Sequence, residues 1–86
     1  MDINQLIGII KQKINQNISC DKIDVEDKTF LHQKHKSHQN GKFHIKLKIK
    51  SSYLKEKNKI ESSKQIYKIL DLELKKYIHS IQILIY

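Results

Sequence analysis

The side chains best suited to chemistry at neutral pH are histidines, because imidazole ionises near pH 7 and binds transition metals. The chain has five of them: His32, His35, His38, His44 and His79. The first three are spaced by three in one polar stretch, and His79 lies far along the chain. Imidazole suits iron, zinc and copper, so these residues indicate metal binding as the first chemistry to consider.

Sulfur ligands are scarce, since Cys20 is the only cysteine. One thiol excludes an internal disulfide and a zinc or cluster site built from four cysteines of this chain. A two-iron cluster held by two histidines and two sulfur ligands is a known arrangement. This chain cannot supply both sulfurs, so such a cluster needs thiolates from a partner, and its site is an interface.

Simpler interpretations of the histidines stay open. Histidines in a hydrophilic loop are commonly solvated, or bind metal only weakly. His79 alternates in step with Ile81 and Ile83, which suits a histidine at the edge of the core. His44 alternates with lysines and is expected at the surface.

Sequence motifs for catalysis are missing: there is no Gly-x-Ser-x-Gly elbow, glycine-rich phosphate loop or zinc-protease helix. A chain of 86 residues is also too short to enclose a deep cleft from which water is excluded. Its longest apolar stretches, Leu6–Ile10 and Ile81–Ile85, are far shorter than the ~20 residues that cross a bilayer. We therefore expect a non-enzymatic protein that is not inserted in a membrane and lies in the cytoplasm, with an organelle as the alternative location.

The chain is strongly basic, with 17 Lys plus Arg, all of them lysine, against 9 Asp plus Glu and a formal charge of +8. A positive charge of this size attracts anions such as nucleic acid. The alternative explanation of the charge is that the composition is rich in lysine and that these lysines are solvated without binding a partner. Arginine binds phosphate and guanine through paired hydrogen bonds better than lysine does, so the absence of arginine favours this alternative.

Hydrophobic periodicity predicts the elements of the first half. Residues 3–16 have the spacing of a helix that begins after Asp2, and residues 22–28 alternate as a half-buried strand. Asn40-Gly41 predicts a turn before residues 43–50, a strand with one apolar and one basic face.

In the second half, residues 51–59 are predicted to form a polar connection. Ser62 with Gln65 predicts a capping box for a second helix that ends near Lys75. Residues 77–86 are a short isoleucine-rich segment, predicted as a final strand with apolar residues on both sides.

The order α-β-β-α-β predicts an α+β fold in a single domain of residues 1–86: a three-stranded mixed sheet with two helices on one face. The first two strands form an antiparallel hairpin, and the helical crossover makes the last two parallel. The last strand then begins at the end of the sheet where the hairpin loop enters the second strand. We expect His79 to face the loop histidines there.

Three runs resemble the BolA-like protein family: IDVEDKTFLHQKH, KFHIKLKIKSSYL and QIYKILDLELKKYIHSIQI. The similarity extends from Ile23 to Ile83. It implies a fold of the same element order, similar to a type II KH domain. It also implies a monothiol glutaredoxin partner and a [2Fe-2S] cluster shared with that partner and its glutathione. The chain alone is then a monomer without a cluster, and a heterodimer forms with the partner.

The resemblance also implies ligands. His79, in YIHSI, corresponds to the family histidine at the start of the last strand, which binds the cluster. His32, in FLHQKH, corresponds to a loop position that is histidine or cysteine and supplies the second ligand, with His35 as the fallback. The implied function is cluster assembly or delivery, or iron regulation.

A nucleic-acid-binding regulator is the alternative function, because the glycine loop of KH domains clamps backbone phosphates. Glu56 stands where the family has that glycine, and its charge repels phosphate. Ser62-Ser63-Lys64 stands where many members have Arg-His-Arg. The lysines available for this role are Lys46, Lys48, Lys50, Lys55, Lys57, Lys59 and Lys64.

Overall fold

The computed structural model describes residues 1–29 and 42–86. In chain order the elements are helix α1 (Ile3–Asn17), strands β1 (Lys22–Asp27) and β2 (Phe43–Lys50), helices α2 (Ser52–Lys55), α3 (Lys59–Ile69) and α4 (Asp71–Lys76), and strand β3 (Ile78–Ile85). The predicted Asn40-Gly41 turn lies outside the described residues.

The three strands form one sheet in the order β1-β2-β3. Strands β1 and β2 are antiparallel, with Lys22 opposite Lys50, and β2 and β3 are parallel, with Ile45 opposite Ile81. The predicted α+β fold with a mixed sheet is therefore confirmed.

Helix α1 begins where the sequence predicts, because Asp2 caps it. The Asp2 carboxylate accepts the Gln5 N–H at 2.8 Å, and the Gln5 side chain accepts the Asp2 N–H at 3.1 Å. This reciprocal pair satisfies two backbone donors that a helix start leaves unpaired. Leu6, Ile10 and Ile14 are fully buried, so one stripe of α1 faces the core.

The core lies between the sheet and the helices. Its sheet side is the apolar face of β2, where Ile45, Leu47 and Ile49 are 3% exposed or less. Its helical side includes Ile66 and Leu70, both fully buried. Burying each aliphatic side chain contributes roughly 1.5–3 kcal/mol. The helices therefore pack on one face of the sheet.

The predicted polar connection at residues 51–59 contains a short helix, α2. Ser51 caps it by accepting the Leu54 N–H at 3.2 Å. The predicted capping box at Ser62 is wrong, because α3 begins earlier, at Lys59. Its cap is Asn58, whose side chain accepts the Glu61 N–H at 2.8 Å.

The predicted second helix is two helices, α3 and α4, which meet at Leu70. This residue has φ −99° and ψ 18°, outside helical values, and its side chain is fully buried. Asp71 and Glu73 occupy the first turn of α4, where the helix dipole favours negative charge. The break separates α3 from α4, which precedes β3.

Ser62 has a structural role inside α3 that supports a stability prediction. Its buried hydroxyl donates to the Leu54 carbonyl at 2.7 Å and so ties α3 to α2. Ser62→Ala removes the stronger of two donors from that buried carbonyl, which keeps the Lys57 N–H at 3.2 Å, and we expect a loss of about 1 kcal/mol in unfolding free energy. Urea denaturation measures it, with Ser63→Ala at the neighbouring, less buried position as control. Equal losses in the two variants would contradict the assigned role.

Candidate metal-binding rim and lysine-rich recess

The rim of the sheet where β2 and β3 both begin contains a β-bulge. Phe43 lies opposite Ile78 and His44 lies opposite Ser80, so His79 is the extra residue of β3. The prediction that β3 starts at the end where β2 starts is confirmed. Bulges reorient side chains and are common beside functional sites.

The bulge changes which way His79 points. Ile78 is 3% exposed, and Ile81, three positions later, packs against the same core. Without the bulge, His79 would share the inward side of Ile81; with it, the His79 side chain is exposed. An exposed imidazole at a strand start is accessible to a metal or to a second protein.

His44 also lies at this rim, where sequence reasoning did not place it. It was expected at the surface, but it is only 5% exposed. Its ring centroid lies 4.9 Å from that of His79, with 58° between the ring planes. Its Nδ1 is 2.6 Å from the Ser80 hydroxyl oxygen, and its backbone N–H donates to the Thr29 hydroxyl at 3.2 Å. The structure thus brings two imidazoles together at this rim.

His32 and His35, the other predicted ligands, lie outside the described residues. Their predicted role as second ligand, and the expected approach of the loop to His79, stay predictions.

Cys20 cannot contribute sulfur at this rim. It precedes β1, whose first residue Lys22 pairs with the last residue of β2, Lys50, at the opposite end of the sheet. The length of β2 separates the two ends by about 20 Å. Burial, and then the neighbouring Asp21 carboxylate, raise the pKa of the Cys20 thiol, which disfavours the thiolate that binds metals.

The rim therefore supplies nitrogen donors and no sulfur. Among residues 1–29 and 42–86, no group of three or more histidine, cysteine or acidic side chains could enclose a metal ion. One or two imidazoles suit half of a cluster site, provided that the remaining ligands come from another molecule. The donor set fits a cluster that is shared between proteins.

A second candidate site is a recess of about 290 Å³ between the α2–α3 junction and β3. Its lining combines apolar side chains with three lysines, Lys55, Lys57 and Lys59. The other lining residues are Leu54, Ser62, Ser63, Ile83, Leu84 and Ile85.

An aromatic side chain lies beside this recess. The Lys57 ammonium is 4.9 Å from the centre of the Tyr53 ring. The Gln65 side chain donates to the Tyr53 hydroxyl at 3.3 Å, and this hydrogen bond, followed by Lys57, lowers the pKa of Tyr53. The recess thus combines positive charge with an exposed aromatic ring.

The other predicted nucleic-acid lysines lie elsewhere. Lys46 and Lys48 are on the sheet face turned away from the helices, opposite Glu26 and Asp24 of β1. The Lys48 ammonium is 3.6 Å from the Glu26 carboxylate. These two lysines therefore have acidic neighbours. Lys50 and Lys64 are exposed, at the end of β2 and on α3 respectively.

No helix within the described residues combines the length and apolar character that a bilayer crossing requires.

Comparison with known proteins extends these observations. The chain matches the model of a family described as BolA-like protein over residues 14–86. Among solved structures it is similar to the BolA domain of SufE1 from Arabidopsis thaliana, with 24% identity, a TM-score of 0.81, and coverage of 98% of this chain and 93% of that one. It is also similar to BolA1 from the same plant, with 21% identity, a TM-score of 0.77, and coverage of 92% and 87%.

A more distant similarity is to BolA1 from Mus musculus, with 16% identity, a TM-score of 0.74, and coverage of 92% of this chain and 62% of that chain. A search of curated proteins gives no match. At these identities the solved structures establish the shared fold.

Proposed function

The chain belongs to the BolA-like protein family, and from this premise we propose that it is a non-enzymatic adaptor that binds a [2Fe-2S] cluster jointly with a monothiol glutaredoxin. The adaptor acts in cluster assembly or delivery, or in iron regulation. The observation that carries the proposal is the exposed His79 imidazole on a bulge, at a rim to which the chain brings no sulfur.

In this proposal the chain contributes His79 as a ligand, and β3 holds the His79 backbone on both sides. The Phe43 N–H donates to the Tyr77 carbonyl at 2.9 Å, immediately before the bulge, and the ladder resumes at the pair His44 and Ser80. The glutaredoxin cysteine and glutathione supply the two sulfur ligands. The second imidazole comes from His32, or from His35 in its place.

Sharing the cluster makes binding dependent on association. An isolated imidazole at a surface binds metal weakly, whereas a ligand held at an interface acts at high effective concentration. Its exposure leaves His79 accessible to a docked protein. Adaptor and glutaredoxin therefore form a heterodimer around the cluster.

The proposal is tested by mixing the isolated chain with a cluster-loaded monothiol glutaredoxin. We expect a 1:1 complex by size-exclusion chromatography, with visible absorption and circular dichroism that differ from those of the loaded glutaredoxin alone, because nitrogen replaces sulfur on one iron. A mixture whose spectra equal the sum of the separate proteins would refute the proposal.

A second candidate function is binding of single-stranded nucleic acid in the lysine-rich recess. It is favoured by the three lysines that line the recess with apolar side chains and by the Tyr53 ring beside Lys57, since basic grooves with aromatic side chains bind single strands. It is opposed by Glu56, which lies between Lys55 and Lys57.

Fluorescence anisotropy with a labelled single-stranded oligonucleotide tests this function over a range of salt concentrations. Binding through the recess should weaken with a log–log slope of about −0.7 per neutralised phosphate. Lys57→Gln should weaken it, while Lys46→Gln, on the opposite sheet face, should not. Absence of binding at low salt would eliminate the nucleic-acid function.

A further inference from the structure

Strand β3 forms one border of the sheet, and no other strand in the described part of the chain pairs with its outer edge, the side turned away from β2. Proteins usually protect such an edge with charged side chains or proline, because its backbone groups attract other strands. Strand β1, at the opposite border, follows this rule, since four of its six residues, KIDVED, are charged. Strand β3, IHSIQILI, has no lysine, acidic residue or proline, although the chain contains 17 lysines. The outer edge of β3 is thus unprotected.

The hydrogen bonds at the end of β3 show which backbone groups point to this edge. The Tyr86 N–H donates to the Ile49 carbonyl at 2.9 Å, and the Tyr86 carbonyl accepts the Ser51 N–H at 3.1 Å. Tyr86 therefore directs both backbone groups toward the β2 side, and this direction alternates along a strand. The residues whose N–H and C=O groups point to the outer edge are then Ile81, Ile83 and Ile85.

The lysine-rich recess lies along the same edge. Its lining includes three successive positions of β3, namely Ile83, Leu84 and Ile85. Successive side chains of a strand point to opposite faces of the sheet, so a cavity that touches all three follows the edge of the strand and not one face. None of the described β2 residues lines the recess, which places it on the outer edge. A segment that pairs with the end of β3 would therefore enter the recess.

The charges of the recess favour an acidic occupant. Its lining includes Lys55, Lys57 and Lys59, and within the described residues no acidic side chain. A second copy of this chain is a poor match, because its β3 offers no carboxylate to these lysines and each copy carries a formal charge of +8. A nucleic acid would satisfy the lysines, but it has no peptide backbone with which to continue the sheet.

We propose that the outer edge of β3 binds an extended segment of a partner protein as a fourth strand, and that acidic residues of this segment lie in the lysine-rich recess. In such β-augmentation, backbone hydrogen bonds supply affinity and side-chain contacts supply specificity. The Leu84 side chain, 46% exposed, provides an apolar contact beside the recess. Leu84 is about 16 Å along the strand from His79, so this surface is separate from the proposed cluster site.

Hydrogen exchange of the unmodified chain, followed by NMR, tests the proposal without a substitution. The probes are two synthetic peptides of alternating valine and threonine, with a run of glutamates before or after this part, so that both strand directions are covered. With one peptide at about ten times its Kd, exchange of the Ile81, Ile83 and Ile85 amides should slow by about tenfold. Amides on the outer edge of β1 are the internal control and should not change. Unaltered exchange with both peptides would overturn the proposal.

Modified peptides distinguish strand pairing from simple attraction between charges. Methylation of alternate peptide nitrogens should abolish binding in one phase, where it removes the donors to β3, and preserve it in the other phase. Equal effects of the two phases would contradict a fourth strand. Lys57→Gln should raise the Kd by about threefold, whereas Lys11→Gln, on α1, should leave it unchanged. Equal affinity of the two variants would contradict the role of the recess.

Other occupants of the edge give different results. A second copy would protect the three outer-edge amides without any peptide, and more strongly at higher protein concentration. A single-stranded oligonucleotide would displace the peptide from the recess but leave these amides unprotected. Protection by self-association, or by the oligonucleotide in place of the peptides, would overturn the proposal. The cluster spectrum of the glutaredoxin complex is a separate readout, so failure of either proposal is recognised independently.

Discussion

Replacing His79 with alanine should abolish the change in visible circular dichroism that the chain induces in a cluster-loaded monothiol glutaredoxin. The imidazole is the one ligand of the proposed shared cluster whose backbone is fixed in the described structure, on the bulge of β3. The methyl group of alanine has no nitrogen that could bind iron in place of the imidazole. Since the side chain is exposed, its loss should alter the unfolding free energy by no more than about 0.5 kcal/mol.

Two control variants make this result specific. Gln82→Ala changes another exposed residue of β3, and Cys20→Ser removes the only thiol, at the far end of the sheet. Both should give the spectrum of the unmodified complex. If His79→Ala gives that spectrum as well, His79 is not a ligand. If Cys20→Ser loses it, the assignment of both sulfurs to the partner is wrong.

The elements that were predicted correctly are those whose pattern is local. Helix α1 has its cap at Asp2 and a clean stripe of apolar residues, and β2 alternates over its whole length. The parallel pairing of β2 and β3 followed from the handedness of crossover connections. These three features were enough to place His79 at the correct end of the sheet.

The immediate surroundings of His79 depend on a non-local event that no periodicity records. One extra residue in β3 reverses the alternation, so the apparent match of His79 with Ile81 and Ile83 was misleading. Alternation also reports the side of a strand and not the depth of burial. His44 is on the same side as Lys46, yet it is 5% exposed.

The start of the second predicted helix was placed wrongly because the sequence offers two residues that can cap it, Asn58 and Ser62. Burial decides between them: the buried Ser62 hydroxyl donates to the Leu54 carbonyl, so Asn58 is the cap. The break at Leu70 has no proline or glycine to mark it. It follows from tertiary packing, since the fully buried Leu70 side chain joins the core at the bend.

The second large effect that we expect is a loss of stability in Lys13→Ala. The Lys13 ammonium on α1 is 2.7 and 2.9 Å from the two carboxylate oxygens of Glu73 on α4. Glu73 is 3% exposed, whereas Lys13 is 34% exposed. Removing the lysine leaves a buried carboxylate without its cation, and such a loss costs 3–5 kcal/mol for fully buried pairs. Partial exposure of Lys13 lowers the expected cost to about 2–3 kcal/mol.

This ion pair also bears on the rim, because the Glu73 carbonyl accepts the Tyr77 N–H at 2.8 Å, two residues before His79. Thermal unfolding should show a fall in Tm of roughly 10–20 °C for a domain of this size. Lys11→Ala, at an exposed position of the same helix, is the control and should change Tm little. A double variant, Lys13→Met with Glu73→Leu, should recover much of the loss, because it removes the buried charge together with its partner. If Lys13→Ala proves as harmless as Lys11→Ala, the contact between α1 and α4 rests on apolar packing and not on this pair.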